Sequence, residues 1–292
     1  MLKSIIFFLS CKFKNNFSIS DKMVHEVKKM GKRKFFFFDI DGTILDEHTH
    51  TVPLSAINAI KKAQQNGHQC FINTGRPRST IDKIITDLPF DGFICGCGTY
   101  IEHHHQELFH TELSEEQRRL VIQSSFECKI EAVLEGKEGV YFPENCQHSF
   151  IKDIKHQYEQ NGFPVYTYSK NDLIMFDKYA AWYYEDSKID TYRETLSPYF
   201  EIIQRDVDFL EIIPLDYSKA SGIQFITDYL GNSLENTISI GDSTNDIAML
   251  KYTKDSVAMG NSNPLLFDIV TYITSDINDD GIKNALKHFN II

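Results

Sequence analysis

The apolar pattern is most concentrated at Lys34 to Leu45, Lys-Phe-Phe-Phe-Phe-Asp-Ile-Asp-Gly-Thr-Ile-Leu. Its apolar start has the length of a strand and is too short for a membrane span. Such a run predicts a strand buried on both faces in a parallel sheet. Beyond a polar loop the period becomes helical. Pro53 opens a segment with Leu54, Ile57, Ile60 and Ala63 on one face, closed by Asn66-Gly67, which predicts an amphipathic helix. Gln69 to Ile72 predicts a second strand, ending in Asn73-Thr74-Gly75-Arg76. A second helix is expected to reach about Leu88, and Gly92 to Cys95 is a third strand. Strand, helix, strand, helix, strand implies parallel pairing with right-handed crossovers. Thr99 to Leu113 alternates around Glu102-His103-His104-His105-Gln106, the pattern of a hairpin with a polar tip. Neighbouring strand residues face opposite ways, so the three histidines read as a solvated turn and not as a metal site.

The pattern changes at Ser114. Ser114-Glu115-Glu116-Gln117 is a capping-box helix start. Aromatic strands (Val140 to Phe142, Ala180 to Tyr184) and helices (about Gln147 to Asn161, Ile189 to Leu196) then alternate. Residues 114–206 are read as an inserted α/β domain, with Trp182-Tyr183-Tyr184 as strand core. The first topology is expected to return at Phe209 to Ile213, read as an apolar strand. Lys219 starts a helix running to Leu230, and Thr237 to Ile240 is a strand ending in Gly241-Asp242-Ser243-Thr244-Asn245-Asp246. Ile247 to Tyr252 is helical, Ser256 to Met259 is a strand, and a final helix follows Asp279-Asp280-Gly281. The expected partition is therefore 34–113 with 207–292 as a core, 114–206 as the insertion, and 1–33 as a basic extension.

Composition narrows the classes. At 292 residues and 24% charged residues the chain can bury a substantial core. Its net charge of −11 argues against nucleic acid as a partner. Residues 1–34 hold nine Lys/Arg against two Asp/Glu, +7, which leaves −18 elsewhere. An anionic substrate therefore needs a locally positive cleft. The six cysteines are too sparse for a disulfide framework. Cys95-Gly-Cys97 lacks the spacing of a zinc knuckle. Met1 to Cys11 imitates a signal peptide only faintly, and the segment is read as an upstream start, with the functional chain beginning near Met23 or Met30 and a cytoplasmic location. No membrane partner is expected.

Chemistry gathers at strand ends. Asp39 and Asp41 follow the first strand and share a face if it continues, and Gly42 allows a sharp turn. A calcium loop is disfavoured, since Thr43 stands where a further ligand belongs and a strand precedes. Thr74-Gly75-Arg76, Lys219 and Asp242/Asn245/Asp246 occupy comparable places, and in a parallel sheet the carboxyl ends of strands share one edge. Clustered carboxylates imply a hard divalent cation, best Mg²⁺. Thr and Gly before a helix start make an anion seat.

In this order, Asp-Ile-Asp-Gly-Thr, Thr-Gly-Arg, an isolated Lys and Gly-Asp-Ser-Thr-Asn-Asp resemble the four motifs of the haloacid dehalogenase superfamily. The insertion between the second and third, together with Val257-Ala258-Met259-Gly260-Asn261 and Asp279-Asp280-Gly281, resembles its Cof-type sugar-phosphate phosphatases. The resemblance covers about residues 34–292. It implies an α/β fold, a Rossmann-like parallel-sheet core with an inserted α/β cap domain. It also implies a Mg²⁺-dependent phosphomonoester hydrolase acting on small phosphorylated metabolites, either sugar phosphates or phosphorylated cofactors. Asp39 would be the nucleophile and Asp41 the acid and base, with its backbone carbonyl on the metal. Thr74, Gly75 and Asn245 would hold the phosphate, Lys219 would neutralise it, Asp242 would bind Mg²⁺ and Asp246 would orient. Bringing a phosphate dianion to a carboxylate at about 4 Å costs roughly 8 kcal/mol at an effective dielectric near 20, a term that Mg²⁺ and Lys219 can offset. A phosphomutase and a non-hydrolytic phosphometabolite sensor are the alternatives. Cys97-Gly98-Thr99 replaces the Asn-Gly-Ala usual after the third strand, a departure that bears on substrate preference, and Arg76 has no assigned role.

Overall fold

The structure, a computed structural model, describes residues 33–292. Apart from Arg33, the expected basic extension lies outside the described residues. In chain order the core begins with β1 (Phe35–Phe38), α1 (Leu54–Gln65), β2 (Gln69–Asn73), α2 (Lys83–Thr86), β3 (Gly92–Cys95), β4 (Tyr100–His103) and β5 (Gln106–His110). The insertion follows as α3 (Glu115–Cys128), β6 (Ile130–Glu135), β7 (Val140–Pro143), α4 (Ser149–Gln160), β8 (Val165–Tyr168), β9 (Lys178–Tyr183), α5 (Ile189–Leu196), β10 (Phe200–Gln204) and β11 (Phe209–Pro214). The core then resumes with α6 (Lys219–Tyr229), β12 (Thr237–Gly241), α7 (Ile247–Tyr252), β13 (Asp255–Ala258), β14 (Tyr272–Ile273) and α8 (Gly281–His288).

The first sheet runs β14-β13-β12-β1-β2-β3-β4-β5, parallel from β14 to β3 and antiparallel through the final hairpin. The four phenylalanines explain why β1 is central. Phe36 and Phe38 pack under α1 and α8, while Phe35 and Phe37 pack beneath α6 and α7, so both faces are dry. The chain leaves β1 toward β2 on one side and later returns to β12 on the other. The crevice at their carboxyl ends is thus the topological switch point where open α/β sheets bind ligands. His104 and His105, both at positive φ, form the two-residue turn of the β4–β5 hairpin.

The second sheet runs β10-β11-β9-β6-β7-β8. One face packs on α3 and α5 through Val121, Leu134, Tyr179 and Tyr192; the other packs on α4 through Phe142, Ile151 and Trp182. Trp182 is strand core, stacked on Phe209 with ring centroids 4.6 Å apart.

Two expectations are corrected. Phe209 to Ile213 does not return the chain to the first sheet: β11 pairs antiparallel with β9 and β10, so the second sheet extends to Pro214. The expected helix up to Leu88 is a 3₁₀ turn, Arg78–Thr80, and the four-residue α2. Its polar side chains are used elsewhere: Ser79 donates to the Gly136 carbonyl at 2.6 Å, Arg78 to Glu102 at 2.9 Å, and Asp82 pairs with Arg76 at 2.6 Å instead of capping α2. Side chains committed to distant partners compete with helix formation.

Candidate active site

Asp39 leaves β1 with its N–H still bonded to the Ile240 carbonyl of β12 at 3.0 Å. The chain then folds over the Ile40 carbonyl, which accepts from Ile44 and Leu45. Gly42 permits this with φ 71°, and any Cβ there would lie 2.4 Å from the Asp242 carboxylate. Thr43 donates to that carboxylate at 2.7 Å, and Asn261 ties the Gly42 carbonyl at 2.8 Å. The first motif and the β12 loop are therefore built against each other.

Lys219 arrives from α6. Ser218 and Ser221 form a capping box that starts the helix, and the Asn73 amide of β2 donates to the Lys219 carbonyl at 2.9 Å. Close approach of α6 to the sheet depends on Gly222, where a Cβ would lie 2.3 Å from Ile94. The Lys219 ammonium, fully buried, sits 2.8 Å from Asp39 and 2.6 Å from Asp246 and donates to Asn245 at 3.3 Å. The second oxygen of Asp246 accepts from the N–H groups of Asp242 and Ser243 at 2.9 and 3.1 Å. Both Asp246 oxygens are thereby engaged.

Oxygens of Asp39, Asp242 and Asp246 come within 4.8 Å of one another. One ammonium cannot neutralise three carboxylates. Burial, reinforced by the Asp246 charge, pushes the Asp39 carboxyl up to about 8 despite Lys219. Burial likewise raises Asp242 to about 7 against the hydrogen bond from Thr43. Burial opposes the Lys219 charge, but Asp246 and Asp39 outweigh it and raise its pKa.

Asp41 faces a different partner. The Arg76 guanidinium grips both its oxygens, at 2.8 and 2.5 Å, and is anchored behind by Asp82 at 2.6 Å. This two-pronged geometry fixes the direction of a carboxylate as well as its charge. Thr74 accepts from the Arg76 N–H at 3.2 Å, and its carbonyl accepts from Cys97 at 3.1 Å.

Asp39, Asp41, Thr74, Gly75, Asp242 and Asn245 line one cavity of about 370 Å³, with Lys219 and Asp246 buried beneath it. All eight residues singled out in the sequence are thus brought together, and Arg76 joins them. The opposite wall was missed: Glu135, Tyr158, Lys178 and Glu211 come from the second sheet and α4. One signal was available, since Glu211 is a lone acid inside the apolar run Phe-Leu-Glu-Ile-Ile.

Residues 36–286 match the family model of haloacid dehalogenase-like hydrolases. The candidate phosphatase YkrA of Bacillus subtilis is 29% identical over 265 residues, covering 89% of this chain and 98% of that protein. Among solved structures, the HAD subclass IIB sugar phosphatase BT4131 has 28% sequence identity and a TM-score of 0.75, covering 89% of this chain and all of that one. The phosphatase BT1666 from Bacteroides thetaiotaomicron has 26% identity and a TM-score of 0.77, covering 89% of this chain and 96% of that one. With a parallel-sheet core and a second α/β sheet inserted between its motifs, the chain belongs to the haloacid dehalogenase-like hydrolases, in their Cof-type branch, and is a phosphatase.

Proposed function

We propose that the protein is a Mg²⁺-dependent phosphomonoesterase that acts on small phosphorylated metabolites through a phosphoryl group carried on Asp39. The observation that carries this reading is the buried Lys219 ammonium held between Asp39 and Asp246, below a cavity into which Asp39 and Asp242 present their carboxylates.

The donor set suits a hard cation. It is made of oxygens only, it carries more negative charge than Lys219 offsets, and burial together with the neighbouring Asp246 charge raises the pKa of both Asp39 and Asp242. Asp246 has both oxygens occupied, so Asp39, Asp242 and the Asp41 main-chain carbonyl are the proposed ligands. When bound, Mg²⁺ supplies the charge that lets a phosphate dianion approach a carboxylate.

The side chains divide the remaining work. Thr74, Gly75 and Asn245 hold the phosphoryl oxygens, and Lys219 neutralises the charge that they and Asp39 share. Asp39 attacks phosphorus as the ester P–O bond breaks, and Asp41 gives its proton to the departing oxygen. Asp41, now ionised, takes a proton from water; the water oxygen attacks phosphorus, the Asp39–phosphorus bond breaks, and phosphate leaves. Both Asp41 oxygens accept from Arg76 in the resting site, so Arg76 must release one of them for Asp41 to carry the proton, and it holds the ionised carboxylate again once that proton has left. The second sheet roofs the cavity and excludes bulk water.

Hydrolysis of p-nitrophenyl phosphate by the wild type and by Asp39→Asn, each with Mg²⁺ and with EDTA, tests the reading. Activity is expected only in the wild type with Mg²⁺. Binding of phosphate esters without turnover by the wild type would contradict it in favour of a sensor. The phosphomutase alternative predicts transfer of the phosphoryl group to a sugar phosphate in place of release to water.

A further inference from the structure

The wall opposite the motifs has a charge pattern that limits which ester can enter. In the β6–β9 register Glu135 stands directly opposite Lys178, and Glu211 lies on the neighbouring strand β11. The Lys178 ammonium, buried, is 2.6 Å from Glu135 and 3.3 Å from Glu211. The other Glu211 oxygen accepts from Arg205 at 2.9 and 2.6 Å, so Glu211 is held firmly ionised. Cys97 approaches Glu211 with its sulfur at 3.5 Å. A thiol adds no positive charge to the wall and only a weak donor.

The same arrangement recurs at each cation of the site. Arg76 lies between Asp41 and Asp82, Lys219 between Asp39 and Asp246, and Lys178 between Glu135 and Glu211. Mg²⁺ and Lys219 serve the transferred phosphate. A second anionic group on the substrate would therefore find no cation except by breaking an ion pair, buried at Lys178 and half-buried at Arg76, and it would meet Glu47, Glu135 and Glu211 at the cavity surface. Hydroxyl groups face no such conflict. They can donate to the two glutamates, and the Tyr158 hydroxyl at the same wall can serve them as donor or acceptor.

Resting on the phosphomonoesterase reading above, we infer that the Glu135–Lys178–Glu211 wall selects monophosphate esters with an uncharged, hydroxyl-bearing leaving group and rejects esters that carry a second anion. Sorbitol 6-phosphate and 6-phosphogluconate isolate this property, since both are open-chain and differ at one end by a hydroxymethyl against a carboxylate. At pH 7 with Mg²⁺, the wild type is expected to show kcat/KM at least about tenfold higher for sorbitol 6-phosphate, because like charges juxtaposed in a buried site are strongly unfavourable.

Glu135→Gln and Glu211→Gln each free part of the Lys178 charge, and each is expected to narrow that ratio by about tenfold, chiefly by improving 6-phosphogluconate. Equal or better turnover of 6-phosphogluconate by the wild type would overturn the inference without any variant. So would an unchanged ratio in both variants, or hydrolysis of p-nitrophenyl phosphate with neither sugar ester turned over. Failure of the wild type to hydrolyse p-nitrophenyl phosphate would instead overturn the underlying reading, and the inference with it.

Discussion

At the scale of single residues, the site is an exercise in charge compensation. Lys219 is the sole cation between Asp39 and Asp246, so Lys219→Met should abolish hydrolysis and also destabilise the fold by roughly 3–5 kcal/mol, the usual cost of stranding a buried charge. Activity assays with thermal melts would check both. Asp242 makes the opposite prediction. Its carboxyl titrates near 7 when folded, well above the about 3.9 of an unfolded Asp. Its contribution to stability is therefore complete only at low pH and is lost as pH rises from about 4 through 7. Without metal, Asp242→Asn should melt higher than the wild type at pH 8, with the gap shrinking toward pH 5; a constant gap would contradict the assignment. The motif residues were legible because contiguous acids, glycines and hydroxyls break an apolar pattern. Arg76 lay in view without a role, because its partners Asp41 and Asp82 meet it only through the turn between β2 and α2. Lys178 and Glu135 were illegible for a related reason: their function depends on cross-strand register, which sequence spacing does not specify.

Elements carry these side chains to their places. Most of the core was legible from period and punctuation: the continuous apolar run of β1, the proline and glycine around α1, and the capping box of α3 correspond to elements found. Errors arose where a segment's pattern is compatible with two sheets. β11 is apolar enough for the parallel core, yet its antiparallel partners β9 and β10 claim it. The strands β6, β8, β10 and β14 were not singled out; β8, β10 and β14 lie at sheet edges, while β6 is central and six residues long. The close approach of α6 to β3 sets the position of Lys219. Gly222→Ala would place a methyl 2.3 Å from Ile94, so the helix must shift. Overpacking of this kind costs typically about 1–3 kcal/mol. Because Lys219 is carried on the same helix, kcat should fall more steeply than KM rises, which steady-state kinetics with a denaturant melt would show.

At the scale of the molecule, two sheets meet over one cavity. The first sheet supplies the motif residues at the carboxyl edge of its parallel strands, and the second sheet supplies a roof of paired charges. Among the described residues no helix is long and apolar enough to cross a membrane. A cation bound in this acidic cavity should stabilise the folded chain by mass action, by about 2.7 kcal/mol at a hundredfold excess over its Kd. Mg²⁺ should accordingly raise the melting temperature of the wild type by several degrees and leave Asp242→Asn nearly unmoved, as a thermal-shift titration would reveal. The most direct measurement concerns the covalent step itself. Wild type mixed with a radiolabelled phosphate ester and Mg²⁺, quenched in acid during turnover and digested, should carry label on the peptide containing Asp39, and Asp39→Asn should carry none. Label on a different residue, or steady turnover with no protein-bound label, would contradict the account.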